Sequence, residues 1–560
     1  MHTSIYSLIR KTLNGFMLLG IVFSLLGINS LSARAQEVTT LASTGTVVTT
    51  EPTETLTGTV TATEPAAMPT ETVVTTEPTE TPTGTVTATK PTATPTEPPT
   101  ETVATTEPTA LPTGTVTATE PTAMPTEPPT EMVATAPMAD TITLNSIPGP
   151  SGTFSSAFTI QNISASNADC YYQFFDATGV AIYTSGPFVI PVGGSNYTYV
   201  PSISGLTSGQ YSGVVYCDQQ VAAVVNSSTA NSGGSYDAVA ATGTTWYAPN
   251  AFSNYYNYNT NLVVQNATSS LVNVTVQIIN ASGTVVATQT ANNVPAYAST
   301  SFDQTGLAGL STNVAYSAKI TGTGPLAVES NIYGQGSSVN QLFSYTPFSG
   351  GSTAAYAPVI MNNYYGYITA LTVQNLGTNI ANVTVTYGTG TVQNQQINPS
   401  AAYVFYTPNA GLPSGVLTSA IIASDQPIVA LVNEQNNYDR AASYSAFASG
   451  STKVSVPIVL RRYYNYNTSV TCQNVGSSST NMTITYNNAA TSSQNNIPHN
   501  GTALFYQPTD PGLSDGFNGS ATITTSGQPI VCVVNEDENE GTLGTTFFDQ
   551  LFAYEGIPVP

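Results

Sequence analysis

The chain has 560 residues, of which only 7% are charged, with Lys+Arg 9 against Asp+Glu 31 and a formal net charge of −22. That balance argues against nucleic acid and against docking on an anionic bilayer, because both need clustered cations. A surface so poor in charge stays hydrated through Thr, Ser, Asn, Gln and Tyr, which suits an extracellular β-protein.

Arg10 and Lys11 precede an apolar run from Phe16 to about Leu26, and Ala33-Arg34-Ala35 follows as a small-x-small cleavage site. This three-part form predicts that residues 1–35 are a secretory signal peptide; a membrane enters only if that signal stays uncleaved. Residues 36–140 are built of Thr, Pro, Glu, Val and Ala, with Gly-Thr-Val-Thr-Ala-Thr starting at Gly58, Gly84 and Gly114. Proline removes backbone donors and little there is large and apolar, so the segment predicts a disordered low-complexity stalk with the composition of an O-glycosylated one. At about 3.1 Å per residue in the polyproline conformation it is a long spacer.

Beyond Asp140 the composition turns to short runs of Val, Ile, Thr, Tyr and Phe punctuated by Gly, Asn, Ser and Pro. An apolar residue followed by Gln-Asn recurs roughly every hundred residues, at Ile160-Gln161-Asn162, Val264-Gln265-Asn266, Val373-Gln374-Asn375 and Cys472-Gln473-Asn474. The recurrence predicts four tandem domains, 141–243, 244–352, 353–452 and 453–560. In the third copy the expected strands are 355–361, 368–374, 381–387, 392–397, 402–406, 418–423, 428–432 and 444–447. No helical period is present. The fold class expected is all-β: four tandem antiparallel β-sandwich domains, immunoglobulin-like or fibronectin-like, after the disordered segment. Gln-Asn reads as the register mark of a core strand. Short connections between copies predict a semi-rigid rod.

These repeats, with a Thr/Pro stalk behind a signal, resemble the tandem immunoglobulin-like modules of bacterial cell-surface and adhesin-type proteins. The core Trp of antibody domains is not matched, since the single Trp, Trp246, falls at a predicted domain junction. The resemblance implies a secreted, cell-surface-associated structural or adhesive protein without catalytic activity. Two other readings stand beside it, a carbohydrate-binding surface protein and a self-assembling matrix or lattice component. The partner expected is a surface glycan, a surface protein or a further copy of the chain.

Cys170 with Cys217, and Cys472 with Cys532, fall as pairs within single copies. In a secreted chain they predict intradomain disulfides, each contributing roughly 4 kcal/mol in the chain-entropy model. The two pairs join different strands and would reinforce the end copies, which lack a neighbour in a rod. His2 and His499 are the only histidines. No catalytic residues, no metal site and no cofactor are expected. Glu536-Asp537-Glu538-Asn539-Glu540 reads as a solvated charged turn, with calcium a weaker reading. The candidate ligand contacts are the tyrosines just ahead of the repeated unit: Tyr255, Tyr256 and Tyr258; Tyr364, Tyr365 and Tyr367; Tyr463, Tyr464 and Tyr466. Tyr beside Asn is the composition of adaptable recognition loops, and Tyr faces stack on sugar rings; the same residues could instead pack a domain junction.

Overall fold

Alternation carries over directly into burial. In the third copy Ala381–Tyr387 buries Ala381, Val383, Val385 and Tyr387, exposes Asn382 and leaves Thr384 and Thr386 half-buried. The molecule is seen in a computed structural model that describes residues 140–144 and 154–559, apart from 230–231, 336–340, 437–439 and 539–549. The expected signal peptide and stalk lie outside the described residues.

The described part is all-β, and every strand pairing is antiparallel. The third copy runs Ser352–Tyr364, Tyr367–Asn375, Ala381–Tyr387, Val392–Ile397 and Ala402–Tyr406. The two strands expected next are one continuous strand, Val416–Asn436, and Ala441–Ser445 closes the copy. Residues 425–427 of the long strand have no ladder partner, so the chain passes from one sheet to the other there and Pro427 costs no sheet hydrogen bond. Counting its halves as sixth and seventh strands, the first and third pair the sixth, and the third pairs the fourth. The second pairs the fifth and the seventh, and the seventh pairs the eighth. The fourth copy repeats this order as two separate sheets. In the second copy the long strand is Tyr316–Gly334, and in the first the halves are separate, Ser212–Cys217 and Val221–Ser228.

Each copy buries its own apolar cluster between the two sheets. Trp246, expected at a junction, lies instead in the core of the second copy, where its Nε1 donates to Gly243 O at 3.0 Å and Leu326 O at 3.1 Å. A sequence reading sees the nearby Gly-rich joint but not the strand that draws Trp246 inward.

Both disulfides are formed, Cys170–Cys217 and Cys472–Cys532, across sequence separations of 47 and 60. Each links directly opposed residues on neighbouring strands, the first joining the third and sixth strands of its copy and the second the second and seventh. At the second site the third copy has Val373 opposite Ala430, so the disulfide replaces an apolar core pair. Such bonds persist in oxidising, extracellular conditions. Among the described residues no helix is long and apolar enough to cross a membrane.

The expected rod is corrected by the contacts between copies, which close into a ring. A serine at the start of each sixth strand donates to a carbonyl of the following copy: Ser212 to Tyr297 O at 2.5 Å, Ser317 to Ser400 O at 2.8 Å, and Ser419 to Asn500 O at 2.5 Å. Ser520 of the fourth copy then reaches Gly193 O of the first at 2.9 Å. The Gln of the repeated unit answers from the other side, Gln374 to Ala318 O at 3.4 Å and Gln473 to Ala420 O at 3.2 Å. Its Asn neighbour ties down the next loop: Asn375 Nδ2 donates to Asn379 O and Ile397 O at 2.8 and 2.9 Å. Gln-Asn is therefore both register mark and clasp, and the first and fourth copies are neighbours rather than ends.

The eighth strands meet at the centre of the ring. The tyrosine of each, Tyr236, Tyr345, Tyr444 and Tyr554, is fully buried. The residues that follow them form a circuit: Thr346 Oγ1 donates to Asp237 O, Ser445 Oγ to Thr346 O at 3.0 Å, and Ser445 N to Glu555. Burial and mutual repulsion with Glu555 push the Asp237 carboxyl well up, and burial raises Glu555, so the pair holds a proton where free carboxyls would not. Ahead of the tyrosines, bulk alternates round the centre: Gly233-Gly234, Leu342-Phe343, Ala441-Ala442 and Leu551-Phe552.

Candidate ligand-binding clefts between the repeats

The tyrosine runs form the hairpin between the first and second strands of copies two, three and four. Tyr256-Asn257, Tyr365-Gly366 and Tyr464-Asn465 are the two central turn residues, all with φ between 47° and 83°. Both positions at positive φ define a type I′ hairpin, which explains the Asn or Gly at the second. Tyr255 and Tyr258 exchange backbone hydrogen bonds at 2.8 and 2.9 Å, as do Tyr463 and Tyr466 at 3.1 and 2.9 Å.

The three tyrosines of a hairpin do different work. The tip residues Tyr256, Tyr365 and Tyr464 are 65%, 69% and 74% exposed although a tyrosine at positive φ is unfavourable there. Each stands edge-on to the tyrosine before it, with centroids at 4.9, 4.8 and 4.7 Å. The third tyrosine packs inward: Tyr258 lies edge-on to Phe343 at 5.5 Å, and Tyr466 Oη donates to Gln550 Oε1 at 2.7 Å. Packing thus accounts for Tyr258 and Tyr466 and supports the tips from behind; it leaves the tip rings free.

Ring closure adds a second wall. A cleft of about 540 Å³ lies between copies three and four, lined by Tyr364, Tyr365 and Tyr367 on one side and Leu504 and Tyr506 of the next fifth strand on the other. At the following boundary Tyr197, in the fifth strand of copy one, faces Tyr463 and Tyr464; burial, then these phenols and Glu536, push its pKa up to about 12. Sequence reading proposed the hairpin tyrosines but missed Tyr197 and Tyr506, which belong to another copy and meet them only through the ring. Aromatic residues in the fifth strands, Tyr197 and Tyr506 among them, were a visible signal without that geometry.

The cleft floor holds buried polar groups. Glu434 is fully buried; its Oε2 accepts from Asn535 Nδ2 of copy four at 2.6 Å, while its Oε1 has no partner. Burial pushes this carboxyl up to about 8. Asn467 Nδ2, also lining the cleft, is unpartnered. Arg440 is committed: it ion-pairs with Asp537 and donates to Glu538 O at 3.2 Å. Glu536 occupies the same strand position one copy on, accepting from Asn226 Nδ2 at 3.0 Å, and burial pushes it up to about 7. The expected charged turn is corrected here. Glu536–Glu538 continue the seventh strand, and Glu536 turns into the ring because its neighbour across the boundary supplies an amide. Among the described residues no group of three or more His, Cys, Asp or Glu is placed to hold a metal. His499 lies in a turn, its Nδ1 2.6 Å from Gly476 O.

No family model and no curated protein matches the chain. Among solved structures, the crystal structure of Thermotoga maritima 1070 is 18% identical, covering 17% of this chain and 94% of its own, with a TM-score of 0.16. A Streptomyces avermitilis α-L-rhamnosidase complexed with L-rhamnose is 7% identical over 71% of this chain and 54% of its own, with a TM-score of 0.09. At these scores neither likeness carries an argument about fold or activity.

Proposed function

We propose that the chain is a secreted, cell-surface-associated, non-catalytic protein that binds glycans in tyrosine-walled clefts between its repeats, and adheres through them. The observation that carries this is the cleft between copies three and four, where the exposed Tyr365 and the fifth-strand Tyr506 wall a floor with unpartnered donor and acceptor atoms; the tip tyrosines of the other two hairpins are similarly exposed. A sugar ring offers an apolar face to stack and hydroxyls that both give and accept hydrogen bonds, which fits that combination. Several such clefts on one rigid ring give avidity when a glycan surface engages more than one. Each copy is read as an immunoglobulin- or fibronectin-like sandwich, since second pairs fifth and third pairs sixth as B–E and C–F do. The predicted stalk would hold the ring away from an envelope.

Screening the full chain on a broad glycan array tests the reading. Binding is expected, and Tyr365→Ala with Tyr464→Ala should weaken it roughly tenfold, about 1.4 kcal/mol, without moving the melting temperature. Absence of binding to every glycan would contradict it.

A further inference from the structure

The cleft floors differ at one position, which bears on what kind of sugar they take. Opposite Thr260, Thr369 and Thr468 of the second strands stand Ile332, Glu434 and Glu536. Ile332 packs in an apolar cluster with Leu431 and Ala441 of copy three, whereas Glu434 lines the cleft after copy three and Glu536 is a buried carboxyl at the boundary after copy four. Both carboxyls are held the same way, by an asparagine amide of the next copy on Oε2.

The charged side chains lining the cleft with Glu434 are Arg440 and Asp537, and these two are paired to one another. Tyr444 lies near enough to feel the Glu434 charge, and Tyr364, Tyr365, Tyr367 and Tyr506 form the walls. Among the described residues the cation lining the cleft, Arg440, is thus already committed, and Glu434 Oε1 is unpartnered. A buried carboxylate costs several kcal/mol unless a cation joins it, and aromatic faces attract that same cation. Resting on the glycan reading above, we infer that the clefts after copies three and four select saccharides carrying a free, protonated amine, with Glu434 and Glu536 as the acceptors and the tyrosines as the cage.

The test compares a glucosamine tetramer with its fully N-acetylated counterpart, by calorimetry on the full chain. The amine form should bind about tenfold more tightly. Glu434→Gln with Glu536→Gln, isosteric changes that keep an acceptor for Asn535 and Asn226, should bring the two ligands within about twofold. Equal affinity of the two tetramers for the wild type, or a preference that survives the double variant, would overturn the amine inference yet leave glycan binding standing. Full competition by spermine with no effect of the variant would also overturn it, since general attraction to an acidic protein then suffices. Binding of neither tetramer, together with a blank glycan array, would remove the glycan reading itself.

Discussion

Raising the pH from 5 to 8 should lower the melting temperature by roughly 10 °C, an unusually acid-favoured profile. Glu329, Glu434 and Glu536 are buried, and their carboxyls are pushed up to about 8, about 8 and about 7; Asp237 and Glu555 are raised as well. Between the ordinary carboxylate range and these values the folded chain holds more protons than the unfolded one. Stability is therefore fully present below about pH 4.5 and is lost as pH rises through 7 to 8. Self-repulsion of the −22 charge acts in the same direction. Replacing Glu329, Glu434 and Glu536 together by Gln separates the two, since it removes their share of the titration, leaving Asp237 and Glu555, while most of the net charge stays, so the slope should fall. A slope unchanged in that variant, or a wild-type melting temperature that rises toward pH 8, would contradict the account.

The second large effect concerns the centre of the ring. Giving copy one the residues of copies two and four, Gly233→Leu with Gly234→Phe, should destabilise the protein by about 3 kcal/mol. A Cβ on Gly233 would lie 2.5 Å from Phe552 Cζ, and one on Gly234 2.3 Å from Ser344 Oγ and 3.0 Å from a Leu342 methyl. Copies two and four fill the centre from opposite sides, so copy one must stay small there. Were the copies independent modules on a string, Leu-Phe would be as harmless in copy one as in its relatives. Chemical denaturation at pH 5 measures the difference, and a variant as stable as the wild type would argue against the packed centre.

Local patterning made much of the fold legible. Alternation in Val383-Thr384-Val385 gave the strand and its face, and in the third copy three predicted strands, 381–387, 392–397 and 402–406, have the observed limits. What was not legible depends on residues brought together by closure. Ser520 and Gly193 are far apart in sequence and carry no signal of pairing. The polar Glu536 looked solvated because Asn226, which accounts for its burial, lies in the first copy. The hairpin tyrosines were found by composition and recurrence, whereas Tyr197 and Tyr506 needed the neighbouring copy. Short connections predict a rod because they limit the freedom between copies without fixing the angle at which each meets the next, and that angle is set by side chains such as Ser520 that find their partners only on closure.

Ring closure is the claim on which clefts, buried acids and central packing all rest. Spin labels at Tyr197→Cys and Tyr464→Cys, both exposed and on facing elements of copies one and four, test it by electron–electron distance measurement. The ring predicts a single narrow distance below about 30 Å, whereas a rod with two modules of about 30 Å each between the labels would give a distance beyond about 60 Å.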